Sequence, residues 1–393
     1  MEPEGRTTNQ QRAPGATAET LKGSVLGVIL HDVCDEIRLE ELRQILGARR
    51  VEPSFKHATP EYVRFANPPV VECLEPVVLG SGEKLVPQVK YYDYGVISVL
   101  LEFSFEADWD GLVQLAARWV PNLELERQAQ QIIRARLDKI APAIVRPYTD
   151  WLSEDYYIFV LSDVPGNPRG LDLLAQHAPE MAQVLRGEQT PLARSENDDV
   201  LQASLSYYPN DLVAVGWNAA LVYDTPAGAQ TSIQILEYAN SQLLEFRHYD
   251  EWLTRELAGV YASLKHRGGI LRRWKMRSEA LRLNGVTVEI TELAERAETA
   301  IKFVSDMFSA RLYRLAAAKV GVPEYKNLVN EKLHTAEGLY RFLIDEFHQS
   351  RGFVLEVMVV IILVIELVYL FRGKGQNSCQ LPVVRSPTQA KAA

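Results

Sequence analysis

The sequence predicts an α+β N-terminal domain, then long antiparallel helices packed as a coiled-coil-like stalk, then one C-terminal transmembrane helix. Three observations predict this. Short runs rich in β-branched residues alternate with amphipathic stretches up to residue 228. From 232 to 349 there is a single proline, Pro323, and apolar residues recur at helical spacing. Residues 353–371 then form a nineteen-residue run of which fifteen are Leu, Ile, Val or Phe. The expected organisation is a disordered tail over 1–21, the α+β domain over 22–228, the helical stalk over 229–350, the membrane helix over 353–371 and a flexible basic tail over 372–393.

The elements follow in order. Residues 24–33 (SVLGVILHDV) read as a strand. Residues 35–46 carry Ile37, Leu39, Leu42, Ile45 and Leu46 at helical spacing and read as a short amphipathic helix. Strands over 86–92 and 96–103 flank a turn at Asp93, Tyr94 and Gly95. Helices are expected over 110–119 and 124–140, and a strong strand over 156–162 (YYIFVLS). Short helices over 171–177 and 179–186 come next, then strands over 203–208, 212–217 and 219–224. Residues 225–228 (TPAG) break the pattern.

Beyond that break the apolar spacing turns helical. Ile233, Leu236, Leu243, Phe246, Leu253, Leu257, Val260 and Leu264 form one stripe. Residues 290–315 and 328–347 carry two more, with breaks expected at Gly268-Gly269, Asn284-Gly285 and Gly321-Val322-Pro323. As a helix, 353–371 would reach about 28 Å, close to a hydrocarbon core of about 30 Å. Its apolar residues favour insertion by roughly 5–9 kcal/mol, against about 2.5–3.5 kcal/mol for a central acid. Glu356 and Glu366 lie off the centre of the run. Ten positions apart, they cannot pair with each other, and intramembrane carboxylates face partners. They are therefore the candidate residues for self-association or for meeting a partner helix.

Composition narrows the chemistry. The formal net charge of −9 opposes general nucleic-acid binding, which needs a Lys/Arg excess. The cysteines Cys34, Cys73 and Cys379 are three and far apart, so neither a zinc site nor a disulfide framework is expected. The seven histidines form no HxH, HxxxH or HExxH pattern. Residues 80–84 (GSGEK) miss the phosphate-loop spacing and read as a surface turn, and residues 196–199 (ENDD) read as a charged loop. No GxSxG elbow occurs. The expectation is a non-enzyme with no catalytic residues, cofactor or metal. Residues 1–23 lack the apolar core of a secretory signal and carry Glu2, Glu4 and Glu19, unlike an acid-poor presequence. The expected placement is a single membrane pass near the C-terminus with the bulk of the chain cytoplasmic.

One local run is strongly basic. Lys265, Arg267, Arg272, Arg273, Lys275 and Arg277 fall within thirteen residues, with Trp274 among them. Such a cluster suits anionic lipid headgroups or RNA phosphates, with the indole stacking on a base. A solvated connection between helices, its charges paired with neighbouring acids, is the plainer alternative.

Three stretches carry a family resemblance: 92–100 (YDYGVISVL), 155–160 (DYYIFV), and a C-terminal block. That block holds Tyr325, Leu328, Leu333, residues 336–340 (AEGLY), Arg351, Leu355-Glu356 and Ile365-Glu366. In these the chain resembles the required-for-meiotic-nuclear-division proteins, also called Sad-interacting factors, the domain-of-unknown-function family 155. The likeness spans roughly residues 22–371. It implies a membrane-anchored, non-catalytic protein, with no catalytic residues to carry over. It also implies a link, through mitochondrial relatives, to ribosome tethering in support of translation. Together these expectations describe a membrane-anchored scaffold that self-assembles or recruits a partner to the lipid bilayer. The alternatives are a ribosome- or RNA-associated tether and an enzyme at the bilayer surface.

Overall fold

The computed structural model describes residues 20–47, 63–65, 67–80, 82–265, 270–299, 301–303 and 307–374; side chains at 63–65, 265–277, 299–303, 347–355 and 372–374 lie outside the description. The chain begins with β1 (Leu21–Ile37), α1 (Leu39–Leu46), β2 (Val63–Phe65), β3 (Val70–Cys73) and β4 (Val77–Val78). It continues through β5 (Lys84–Tyr91), β6 (Val96–Ala107), α2 (Trp109–Trp119), α3 (Glu124–Ile140) and β7 (Ile144–Asp163). Then come α4 (Gly170–Gln176), α5 (Ala178–Arg186), α6 (Arg194–Leu201), β8 (Ser204–Leu205), β9 (Leu212–Val215) and β10 (Ala219–Tyr223). Among the described residues, α7 (Pro226–Lys265), α8 (Ile270–Thr299), β11 (Ile301–Phe303), α9 (Met307–Val320) and α10 (Val322–Lys374) follow.

The main sheet runs β3-β5-β6-β1-β7-β10-β9-β8, with β4 added beside β5. β1 pairs antiparallel with β6 on one side and with β7 on the other. β7 and β10 are parallel, joined by a crossover that holds α4 to α6. Strand residues alternate between two cores. Val25, Ile29, Val99, Phe159 and Leu221 face one core, which α1 to α6 cover. Leu26, Val28, Ile158, Val160 and Val222 face the other, with apolar residues of α7, α8, α9 and the start of α10. Because both faces are covered, β9 (LVAV) and β10 (AALVY) read as unbroken apolar runs.

Local chemistry sets several boundaries. The Asp108 carboxylate accepts from the Gly111 amide at 2.8 Å and starts α2. Gly47 and Gly187 close α1 and α5 in the left-handed conformation. The expected turn before β6 is present: the Tyr92 amide donates to the Val96 carbonyl at 2.9 Å, and Gly95 has φ +96.

The chain divides into two compact units. The first comprises residues 1–257 and 286–334 and holds the sheet with both helical layers. The second comprises 258–285 and 335–393; within it Val260, Ala280, Leu283, Ala336 and Leu343 are buried.

Several expectations are corrected. Residues 35–37 continue β1, because Glu36 and Ile37 pair with Val145 and Ile144 of β7, and that pairing overrides the local helical spacing. Residues 196–199 form part of α6 instead of a loop. α8 runs unbroken through Asn284-Gly285, anchored by buried Leu283 and Val286 on either side. The apolar stripe over 290–315 is cut by β11, which pairs with β2. The first part of the stripe expected in the stalk packs elsewhere: Ile233, Leu236, Leu243, Phe246 and Leu253 of α7 lie in the core beneath the sheet. Leu21, assigned to the tail, is fully buried at the start of β1, whereas residues 1–19 and 375–393 lie outside the described residues.

The transmembrane helix is also corrected. Among the described residues no helix is long and apolar enough to cross a membrane, which removes the support for a single-pass membrane localisation. The apolar stretch of α10 carries two acids, Glu356 and Glu366, and acids are costly to place in hydrocarbon.

Candidate functional site

The face of α7 that meets the sheet carries a polar stripe. Glu237, Ser241, Glu245 and His248 follow one another at spacings of four, four and three, which places them in one row along the helix. All four are buried. Each has a partner. The Lys90 ammonium on β5 pairs with Glu237, and the Tyr92 hydroxyl hydrogen-bonds that same carboxylate. The hydroxyls of Tyr94 and Ser241 lie 2.8 Å apart. Tyr249 donates its hydroxyl to Glu245. His248 Nδ1 lies 2.8 Å from Asp32 Oδ2 on β1.

The densest part lies where β1 passes the C-terminal half of this stripe. Its register shifts between Asp32 and Cys34. The Asp32 side chain is 1% exposed. The Tyr148 ring from β7 stacks on the His248 imidazole, with centroids 4.6 Å apart at 16°. The Tyr148 hydroxyl bonds to Asp35. Asp35 also pairs with the Arg146 guanidinium, which reaches Glu289 of α8 as well. Arg146 is held at φ +50, a left-handed backbone conformation rare for a side chain of this kind. The two ion pairs anchor its side chain there.

Electrostatics sets these groups apart. Burial raises the Asp32 carboxyl, against the hydrogen bond and charge of His248, which lower it. Burial pushes Glu245 well above the carboxylate range, and the charge of Asp32 adds to it. Asp32 Oδ1 and Glu245 Oε1 have no hydrogen-bond partner among the described residues. Burial likewise raises the phenols of Tyr148 and Tyr249 and the Cys34 thiol. Two carboxyls therefore share a buried site with one imidazole, an arrangement that favours the neutral form of a carboxyl. Among the described residues no cluster of three or more His, Cys, Asp or Glu is arranged to hold a metal ion.

The residues singled out from sequence lie elsewhere. Glu356 and Glu366 are exposed on α10. Around them large apolar side chains from Val357 to Phe371 are exposed, from 41% at Val357 to 75% at Tyr369. In the basic run, Lys265 ends α7, whereas Arg272, Arg273, Trp274, Lys275 and Arg277 lie in the opening turns of α8. Their side chains, and Arg267 entirely, lie outside the described residues. The α7 polar row went unread because polar residues at helical spacing look the same whether they face water or a sheet. The signal available was the repetition itself, an acid or hydroxyl every fourth position interleaved with a stripe already identified as core.

Fold and site together define an α+β domain whose sheet is enclosed by two helical layers and sealed on one side by a buried acid–histidine network. The family model described as "Uncharacterized protein MJ0711, N-terminal domain" matches residues 22–230, more than half of the chain, and the chain belongs to that family. The match covers β1 to β10 and the first turn of α7. Asp32, Asp35, Arg146 and Tyr148 therefore fall inside it, and Glu245 and His248 beyond it. No curated protein and no solved structure matches the chain.

Proposed function

We propose that the protein is a non-catalytic scaffold that assembles with further copies of itself through the C-terminal half of α10. The observation that carries this is the exposed apolar surface from Val357 to Phe371. Contiguous apolar surface beyond a few hundred Å² marks an interaction site. A helix apolar on all its faces is satisfied by being surrounded, and copies of the same helix supply neighbours of matching length. Glu356 and Glu366 interrupt that surface at two heights and so favour one register between copies. The likeness of 92–100, 155–160 and the C-terminal block to the required-for-meiotic-nuclear-division family supports a role without catalysis.

The test is the mass of the full chain by light scattering in detergent-free buffer. An oligomer is expected, and the triple substitution Val360→Glu, Leu363→Glu, Leu367→Glu should return it to a monomer. A monomeric parent chain, or one recovered only in lipid vesicles, overturns the reading. Replacing Glu356 and Glu366 together by Leu should change the oligomer number.

A ribosome- or RNA-associated tether is the second reading. One observation favours it: α8 opens with no acid in its first turn, yet Arg272, Arg273, Lys275 and Arg277 follow at once. The helix dipole disfavours cations there, so a polyanionic partner would relieve them. Charge reversal of Arg272, Arg273 and Lys275 to Glu should abolish co-sedimentation with RNA; unchanged co-sedimentation rejects this reading.

A further inference from the structure

We infer that Asp32, Glu245 and His248 form a proton-dependent latch that holds the C-terminal half of α7 on the sheet. Most of the helix's contact with the sheet is apolar and insensitive to pH, through Leu236, Leu243, Phe246 and Leu253. The polar row interrupts that contact at Glu245 and His248, which face Asp32 of β1. Two carboxyls there meet a single imidazole in a buried site.

The groups around the latch do not supply the missing charge. On β1, Asp35 and Cys34 add no cation. On the turn before β6, Asp93 and Tyr94 face Glu245 and carry none either. On β7, the Tyr148 ring covers His248, and the Arg146 guanidinium is engaged by Asp35 and by Glu289 of α8, two carboxylates for one charge. Within α7, Tyr249 donates to Glu245 and neutralises nothing. Lys90 is committed to Glu237 two turns earlier. Retaining a proton is therefore the means by which this interface avoids a second buried negative charge. The unpartnered Asp32 Oδ1 and Glu245 Oε1 are the atoms on which that proton can reside. The raised carboxyls of both residues accord with this. Removing the proton leaves uncompensated charge under α7, and that segment lifts before the apolar core gives way.

The experiment is amide hydrogen exchange of the full chain between about pH 6 and about pH 9, corrected for intrinsic exchange. Protection of residues 241–253 is expected to fall about tenfold across this range while β6 and β10 stay level. Glu245→Gln keeps an oxygen to accept from Tyr249 but cannot ionise, and should make the profile of α7 flat. If that variant fails to fold, Asp32→Asn takes its place. If neither folds, the parent profile decides alone. Protection of α7 that does not change with pH, or loss spread evenly over the strands, overturns the latch. So does a folded Glu245→Gln chain that keeps the parent's pH dependence.

Discussion

At Gly95 the backbone leaves no room for a side chain. The residue sits at φ +96, and a Cβ there would lie 1.7 Å from the Cys34 carbonyl oxygen. Gly95→Ala is expected to destabilise the domain by more than about 2 kcal/mol, read as a lowered urea midpoint. The Lys90–Glu237 pair is the second sensitive point. With Glu237 fully buried, Lys90→Met should cost about 3–5 kcal/mol by stranding a carboxylate, and adding Glu237→Leu should recover most of the loss. Titration follows from the signs. Asp32 and Glu245 have raised carboxyls, so their contribution is complete below the ordinary carboxylate range and declines as pH climbs through their raised values. His31, buried on the opposite face, works in the other sense. Burial lowers it from 6.5 to about 4, so its contribution is complete above 6.5 and is lost as pH falls through about 4. Urea midpoints measured across pH should therefore fall on both sides of a maximum, and His31→Asn should flatten the acid limb.

At the level of elements, legibility followed packing. The strands at 86–92 and 96–103, and the helix at 124–140, were legible because their spacing and their burial agree. Residues 35–37 were not, since their strand state depends on β7, a partner more than a hundred residues away. The first half of β7 was missed for a related reason: Arg146, Pro147, Thr149 and Asp150 are exposed, so its pairing with β1 leaves no apolar alternation to read. α8 shows the converse. Gly285 looked like a break, yet it lies inside the helix with open space around the position of a Cβ. Gly285→Ala should accordingly stabilise the chain by about 0.5–1 kcal/mol, measured by thermal or urea unfolding. A helix broken at this glycine would lose stability instead.

At the scale of the whole molecule, the α+β character was legible and the layering was not. The apolar stripes of α7, α8 and α9 announced helices, but a stripe does not name what it packs against. In the structure that partner is the underside of the sheet. The candidate site was illegible for the same reason. Asp32 and Glu245 are more than two hundred positions apart, and the sheet-to-helix contact is what joins them. The self-assembly proposed for α10 also belongs to this scale. Its exposed apolar surface predicts that the full chain's apparent mass rises with concentration, and that the triple glutamate substitution removes this dependence without moving the domain's unfolding midpoint.

The place of β1 has one more consequence. β1, first in chain order among the described strands, is an interior strand of the sheet, flanked by β6 and β7, and β7 in turn waits for β10. Pairings of such long sequence separation form late and slowly. During synthesis this hydrophobic ribbon must stay unpaired on one edge until β7 has emerged, which marks β1 as the segment most in need of chaperone cover.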